Sequence, residues 1–194
     1  MNDQRFRAHV TRVVLASTLV VAAAMLAPLA QGVASATTAA TATIGAGTLS
    51  VSVPANIAFS DTLSGVDQTV TAVLAIDVKD ATGSGAGWDL QATSTQFTTG
   101  GNTLPTNSVT IATAPSSPTC DTGATCTLAS NGVSYPYVLP AGVTAPPASK
   151  FFDAAASTGM GDQTVTPTFS LAVPANTLGG TYNSTWTISV VSGP

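Results

Sequence analysis

Thr69-Val70-Thr71-Ala72-Val73-Leu74-Ala75-Ile76-Asp77-Val78-Lys79 is the stretch on which the fold turns. Val70, Ala72, Leu74, Ile76 and Val78 fall on one parity, and Thr69, Thr71, Asp77 and Lys79 on the other. Side chains alternate across a strand, so this period of two predicts a half-buried β-strand. The same alternation returns at Val165, Phe169, Leu171 and Val173, and in the run from Tyr182 through Trp186, Ile188 and Val190. Shorter candidate strands are Thr48 to Val53, Trp88 to Thr93, Val109 to Thr113, Val133 to Val138 and Phe151 to Ala155. Gly83-Ser84-Gly85, Gly100-Gly101-Asn102 and Gly179-Gly180 punctuate them as turns. Many short strands at this spacing predict an all-β chain, an antiparallel β-sandwich of immunoglobulin-like form.

The N-terminus differs in kind. Arg5, Arg7 and Arg12 precede an apolar run from Val13 to Ala30, and Ala34-Ser35-Ala36 supplies small residues for cleavage. Residues 1–36 therefore read as a secretory signal peptide, with residues 37–194 as one domain that keeps no membrane span. A domain of that length buries roughly two-thirds of its unfolded-chain surface and holds a core without a cofactor.

Removing the leader removes most of the reactive side chains. His9 and three of the five cations go with it, leaving Lys79 and Lys150 against eight Asp, with no Glu and no Arg. A Ser/His/Asp or Cys/His site needs a histidine, as does a His-ligated zinc, so both are excluded from residues 37–194. A glycosidase pair built from two Asp is the enzyme class that composition leaves open; the expectation is a non-catalytic protein. Nucleic acid is disfavoured as a partner, because a chain this acidic offers few cations to phosphate. Asp77, Asp80 and Asp89 flank a Gly-rich turn and are the candidate oxygens for calcium, against the simpler reading of solvated, self-capping turns. The expectation is that no metal and no cofactor is bound.

Six of the twelve prolines lie between residues 114 and 147, together with both cysteines, Cys120 and Cys126. In an exported chain the simplest reading is a disulfide, which makes about 114–147 a stapled surface insertion between strands. The chain also echoes itself. Ser50-Val51-Ser52-Val53-Pro54-Ala55-Asn56 and Ser170-Leu171-Ala172-Val173-Pro174-Ala175-Asn176 agree at five of seven positions, which predicts two strands ending in the same Pro-terminated turn.

Trp88-Asp89-Leu90 and the closing run Tyr182 to Pro194 carry a family resemblance. Together, in this order, they resemble the WxL domain, a module of Gram-positive surface proteins that attaches non-covalently to the cell wall. The family's distal motif runs Tyr, three residues, Leu-Thr-Trp-Thr-Leu, three more, then Pro. Tyr182, Thr187 and Pro194 match it, whereas Trp186 stands in the place of the first Leu, Ile188 in that of the Trp, and Val190 in that of the second Leu. The resemblance implies a secreted, cell-surface protein that binds the wall, its peptidoglycan above all, and meets other surface proteins there. Trp88, Asp89, Leu90, Tyr182, Trp186, Thr187 and Pro194 form the candidate wall-binding motif. Two readings of its tryptophans stand side by side: core residues of the sandwich, or indole faces laid against sugar rings. From a different class, Thr/Val-rich strands of low charge also suit a structural subunit of a surface filament or coat, joined through an exposed edge strand.

Overall fold

The computed structural model describes residues 34–194. The expected leader lies outside the described residues except for Ala34, Ser35 and Ala36, which are exposed coil. Contacts divide the chain into residues 1–42 and a compact unit, Thr43–Pro194. In chain order the strands are β1 (Leu49–Ser52), β2 (Gln68–Val73), β3 (Ile76–Asp80), β4 (Trp88–Thr95), β5 (Thr98–Thr99), β6 (Asn102–Thr103), β7 (Val109–Ile111), β8 (Thr119–Cys120), β9 (Tyr137–Val138), β10 (Ala141–Gly142), β11 (Ser149–Ala154), β12 (Gly161–Val165), β13 (Thr168–Val173) and β14 (Trp186–Ser192). No helix occurs among the described residues.

The stretch from Thr69 to Lys79 is two strands in one. β2 pairs with β13 and β3 with β12, and the register runs unbroken across the gap: Val73 lies opposite Thr168, and Ile76 opposite Val165. At the bend the Leu74 amide donates to the Pro167 carbonyl at 3.1 Å, so the ladder is carried through. Parity is conserved as well. Val70 and Ala72 are half-buried, and Leu74, Ile76, Val78 and Asp80 are buried, while Thr69, Thr71, Val73 and Lys79 face out. This single ribbon thus serves two sheets with the same face turned inward. One sheet is β2-β13-β7-β9 and the other β1-β3-β12-β8.

β4 centres the third sheet, paired along its length with β14, over Trp88–Ala92 with β11, and at its end with β10. Apart from the two-residue parallel pairing of β10 with β4, the sheets are antiparallel, and they pack on one another as a β-sandwich. Rings stitch the layers together. Tyr137 meets Phe151, Phe151 meets Phe169, and Phe169 meets Trp186 edge-on at 4.9 Å. The series continues outward from Trp186 to Phe59 and from Phe59 to Phe97, each at 6.2 Å. Such pairs add about 0.5–1.5 kcal/mol each beyond the area they bury.

Two departures from the expected elements have local causes. In β11 the register slips between Lys150, opposite Gln91, and Phe152, opposite Leu90. This bulge sets one extra residue into the strand, so Phe151 and Phe152 are both buried where plain alternation would expose one of them. Residues 114–147, expected as a surface insertion, also contribute the short strands β8, β9 and β10 and place Tyr137 and Leu139 in the core. Pro118, Pro136 and Pro140 each stand directly before one of these strands, where a missing N–H costs no ladder bond. Cys120 and Cys126 are joined as a disulfide with Cα atoms 5.7 Å apart.

Candidate functional site

The two halves of the candidate motif are neighbours. β14 lies antiparallel on β4, with Val190 opposite Leu90, Ser192 opposite Trp88 and Trp186 opposite Ser94. Both are strand segments with large residues on one parity, and the pairing brings those residues to one face.

At one end of this pair everything is closed. Trp88 and Leu90 are 0% exposed. The Trp88 indole Nε1 donates to the Gly159 carbonyl at 2.8 Å, and its ring stacks on Phe152 with centroids 6.0 Å apart. Two close approaches here require glycine, Gly159 against the indole and Gly87 against the Ala154–Ala155 backbone. A Cβ on Gly159 would lie 2.5 Å from Trp88 Nε1, and one on Gly87 would lie 2.2 Å from the Ala154 carbonyl oxygen; both residues also hold positive φ. Asp89 is buried beside Lys150 Nζ at 3.6 Å and accepts from Gln91. Of the two readings of Trp88, the structure supports the core: its indole reaches no solvent, so sugar stacking on this ring is excluded. Pro194 and Thr187 are exposed, the latter opposite Thr93.

At the other end the pair opens. Trp186 is half-buried between Phe169 and Phe59. Tyr182 precedes β14, half-buried, with its hydroxyl donating to the Leu178 carbonyl at 3.0 Å. Tyr182 lines two adjoining clefts, together with Leu104, Thr177 and Leu178. One is a polar cleft of about 390 Å³ lined by Gln96, Asn102, Thr103, Asn176 and Thr177. The other is a more apolar cleft of about 450 Å³, lined by Ile57, Phe59, Leu63, Val70, Phe97 and Leu171. A third, of about 380 Å³, lies between Val53–Ile57 and Ser184–Ile188. Phe59, Phe97, Asn102 and Asn176 were not singled out from the sequence. One signal was present, however, because the echoed Pro-Ala-Asn turn appears at both sites: Pro54, Ala55 and Asn56 line the third cleft, and Pro174 and Asn176 the polar one.

The carboxylates group differently from the expected calcium set. Asp80 Oδ1 accepts from the Thr82 amide and hydroxyl, capping its own turn, and Asp89 faces Lys150. Asp77 and Asp80 sit at opposite parity on β3, so no single site can collect both with Asp89. Instead Asp77, Asp121 and Asp162 converge on the outer face of β3 and β12, with carboxylate oxygens within 4.8 Å of one another. Burial and the adjacent Asp162 hold the Asp77 carboxyl above its ordinary range. The hydrogen bond from Lys79 Nζ, 2.7 Å away, holds Asp162 below its own. Thr164 donates to Asp121. Among the described residues Asp61 is the one carboxylate that lines any of the three clefts, so none of these clefts holds the pair of acids a glycosidase requires. Both lysines of this region are ion-paired, Lys79 with Asp162 and Lys150 with Asp89 and Asp153. No family model, no curated protein and no solved structure matches the chain.

Proposed function

We propose that this chain is a secreted, non-catalytic bacterial surface protein that binds the cell wall non-covalently, with peptidoglycan glycan as the ligand and the polar cleft beside Tyr182 as the contact. The observation that carries this reading is that the paired motifs of β4 and β14 are sealed at Trp88 and open to solvent at Tyr182. A tyrosine ring offers an apolar face to the C–H face of a pyranose and a polar tip to water. Around it, Asn102 and Asn176 supply amides, and Thr103 and Thr177 hydroxyls, which can both donate to and accept from sugar hydroxyls. Neutral donors of this kind suit a polyhydroxylated, weakly charged polymer. The resemblance to WxL domains supports the same assignment from the sequence side, and Trp88 then serves by holding β4 in place.

The test is cosedimentation of the exported protein with purified Gram-positive sacculi, alongside walls that retain their secondary polymers. Pelleting with bare sacculi is expected, weakened by about tenfold or more in Tyr182→Ala and in Asn176→Ala while their melting curves stay cooperative. Protein that remains in the supernatant with every wall preparation would sink the proposal.

A further inference from the structure

β2 is the edge of its sheet. Its hydrogen-bonded positions follow from the Leu74 bond to Pro167: the residues in phase with Leu74, namely Ala72 and Val70, turn their amides toward β13. Thr69, Thr71 and Val73 therefore turn theirs away from β13, and none of the three has a backbone partner among the described residues. Edge strands are commonly guarded by a charge, a proline or a bulge. Gln68-Thr69-Val70-Thr71-Ala72-Val73 has none of these, pairs with β13 in continuous register, and leaves Val73 63% exposed.

The apolar cleft lies beside this edge. Val70 of β2 and Leu171 and Val173 of β13 contribute to it from the sheet, and Phe59 and Leu63 from the connection between β1 and β2. A strand added along β2 would satisfy the free amides, and its alternate side chains would point toward the cleft.

The same chain carries a strand-like segment without a sheet. Residues 34–46, which precede the Gly47 and Thr48 bonds to Ala81, have no secondary structure and are exposed throughout. From Thr38 to Ala46 they hold no charge, and Ala40, Ala42, Ile44 and Ala46 share one parity while Thr41 and Thr43 take the other. Among the described residues Ile44, 94% exposed, is the most exposed of the large apolar side chains. A neutral segment also meets no repulsion from a domain whose charged side chains are two lysines and eight aspartates.

We infer that residues 38–46 of one copy add as a strand to the β2 edge of a second copy, with Ile44 seated in the apolar cleft between Phe59 and Val70. Donor and acceptor surfaces differ, so the contact is head-to-tail, and wherever the rotation between copies does not close a ring it propagates into an open chain. This is the assembly that a filament or coat subunit requires, and its arm and β2 edge lie outside the residues assigned to wall binding in the polar cleft.

Light scattering of the exported protein over a concentration series tests it. Oligomers that grow with concentration are expected, weakened by about tenfold or more in Ile44→Asp, which spoils the arm, and in Thr71→Lys, which guards the edge. Both positions are exposed, so both variants should melt like the parent protein. Mixing the two variants separates this contact from any other: the intact arm of Thr71→Lys fits the intact edge of Ile44→Asp, giving a capped one-to-one dimer that neither forms alone. A monomer at every concentration, oligomers indifferent to both substitutions, or a mixture that stays monomeric would each overturn the inference.

Discussion

The two ends of the β4–β14 pair are built to opposite specifications. At the Trp88 end the indole is fully buried, its N–H is satisfied, and the positive-φ Gly159 clears the space beside it. At the Tyr182 end the aromatic residue is half-buried and lines two clefts. One pair of strands therefore supplies both an anchor in the core and a presented surface. A sequence motif that spans such a pair records the needs of folding at one end and leaves the other free for recognition.

The contrast is broken most forcefully at the anchor. Trp88→Ala should cost about 3–5 kcal/mol, the range for deleting a large buried aromatic, and Gly159→Ala should destabilise in the same direction because its Cβ would collide with the indole. Urea unfolding measures both. A Trp88→Ala protein that unfolds at the parent midpoint would show that β4 is held by something other than this packing. Next in size is the disulfide. Cys120 and Cys126 close a short loop, and the chain-entropy model gives about 2.4 kcal/mol for its loss in a Cys120→Ser, Cys126→Ser double variant. Because Thr119 and Cys120 pair with β12, the loss should also loosen the edge of that sheet, which hydrogen exchange at Thr164, whose amide turns toward β8, would report.

Tyr182→Ala sharpens the comparison from the open side. Its stability cost should be well under that of Trp88→Ala, since the ring is half-buried and gives up a single exposed hydrogen bond to Leu178. Wall binding should fall while the unfolding midpoint barely moves. Equal stability losses at the two positions would erase the distinction between anchor and surface.

How much of this was legible depended on how local the cause was. The alternation of Val70 to Val78 and of Val165 to Val173 announced buried faces, because parity is a property of the chain alone. That the two runs are one continuous ribbon through a bend was not legible, since register between segments some ninety residues apart is fixed only by tertiary packing. The bulge at Phe151 hid a core residue for a related reason: plain alternation allowed one phenylalanine inside, and an inserted residue admitted both. At the candidate site, Tyr182 was marked by its motif, whereas Phe59, Phe97, Asn102 and Asn176 come from separate connections that meet only when folded. The Pro-Ala-Asn echo pointed to two cleft-lining turns but could not say what stood across from them.

The smallest expected effect concerns the acidic group on the outer face of β3 and β12, a third region that belongs to neither end. Burial and Asp162 raise the Asp77 carboxyl, so the folded state holds this proton more tightly than the unfolded chain does. By linkage, Asp77 favours folding while protonated, and that contribution is lost as pH rises through its raised folded-state value. Asp162 has the opposite sign: its carboxyl is lowered by Lys79, so its contribution is present above its unfolded value and fades as pH falls. Asp77→Asn removes the first effect and leaves the Lys79–Asp162 ion pair in place. It should raise the melting temperature slightly at neutral pH, and that gain should shrink in acid, where the wild-type carboxyl is already protonated. Thermal melts of the two proteins across the acidic range decide it. A gain that is constant with pH would mean that the benefit comes from the amide's hydrogen bonds, and that repulsion among Asp77, Asp121 and Asp162 is already relieved by Lys79.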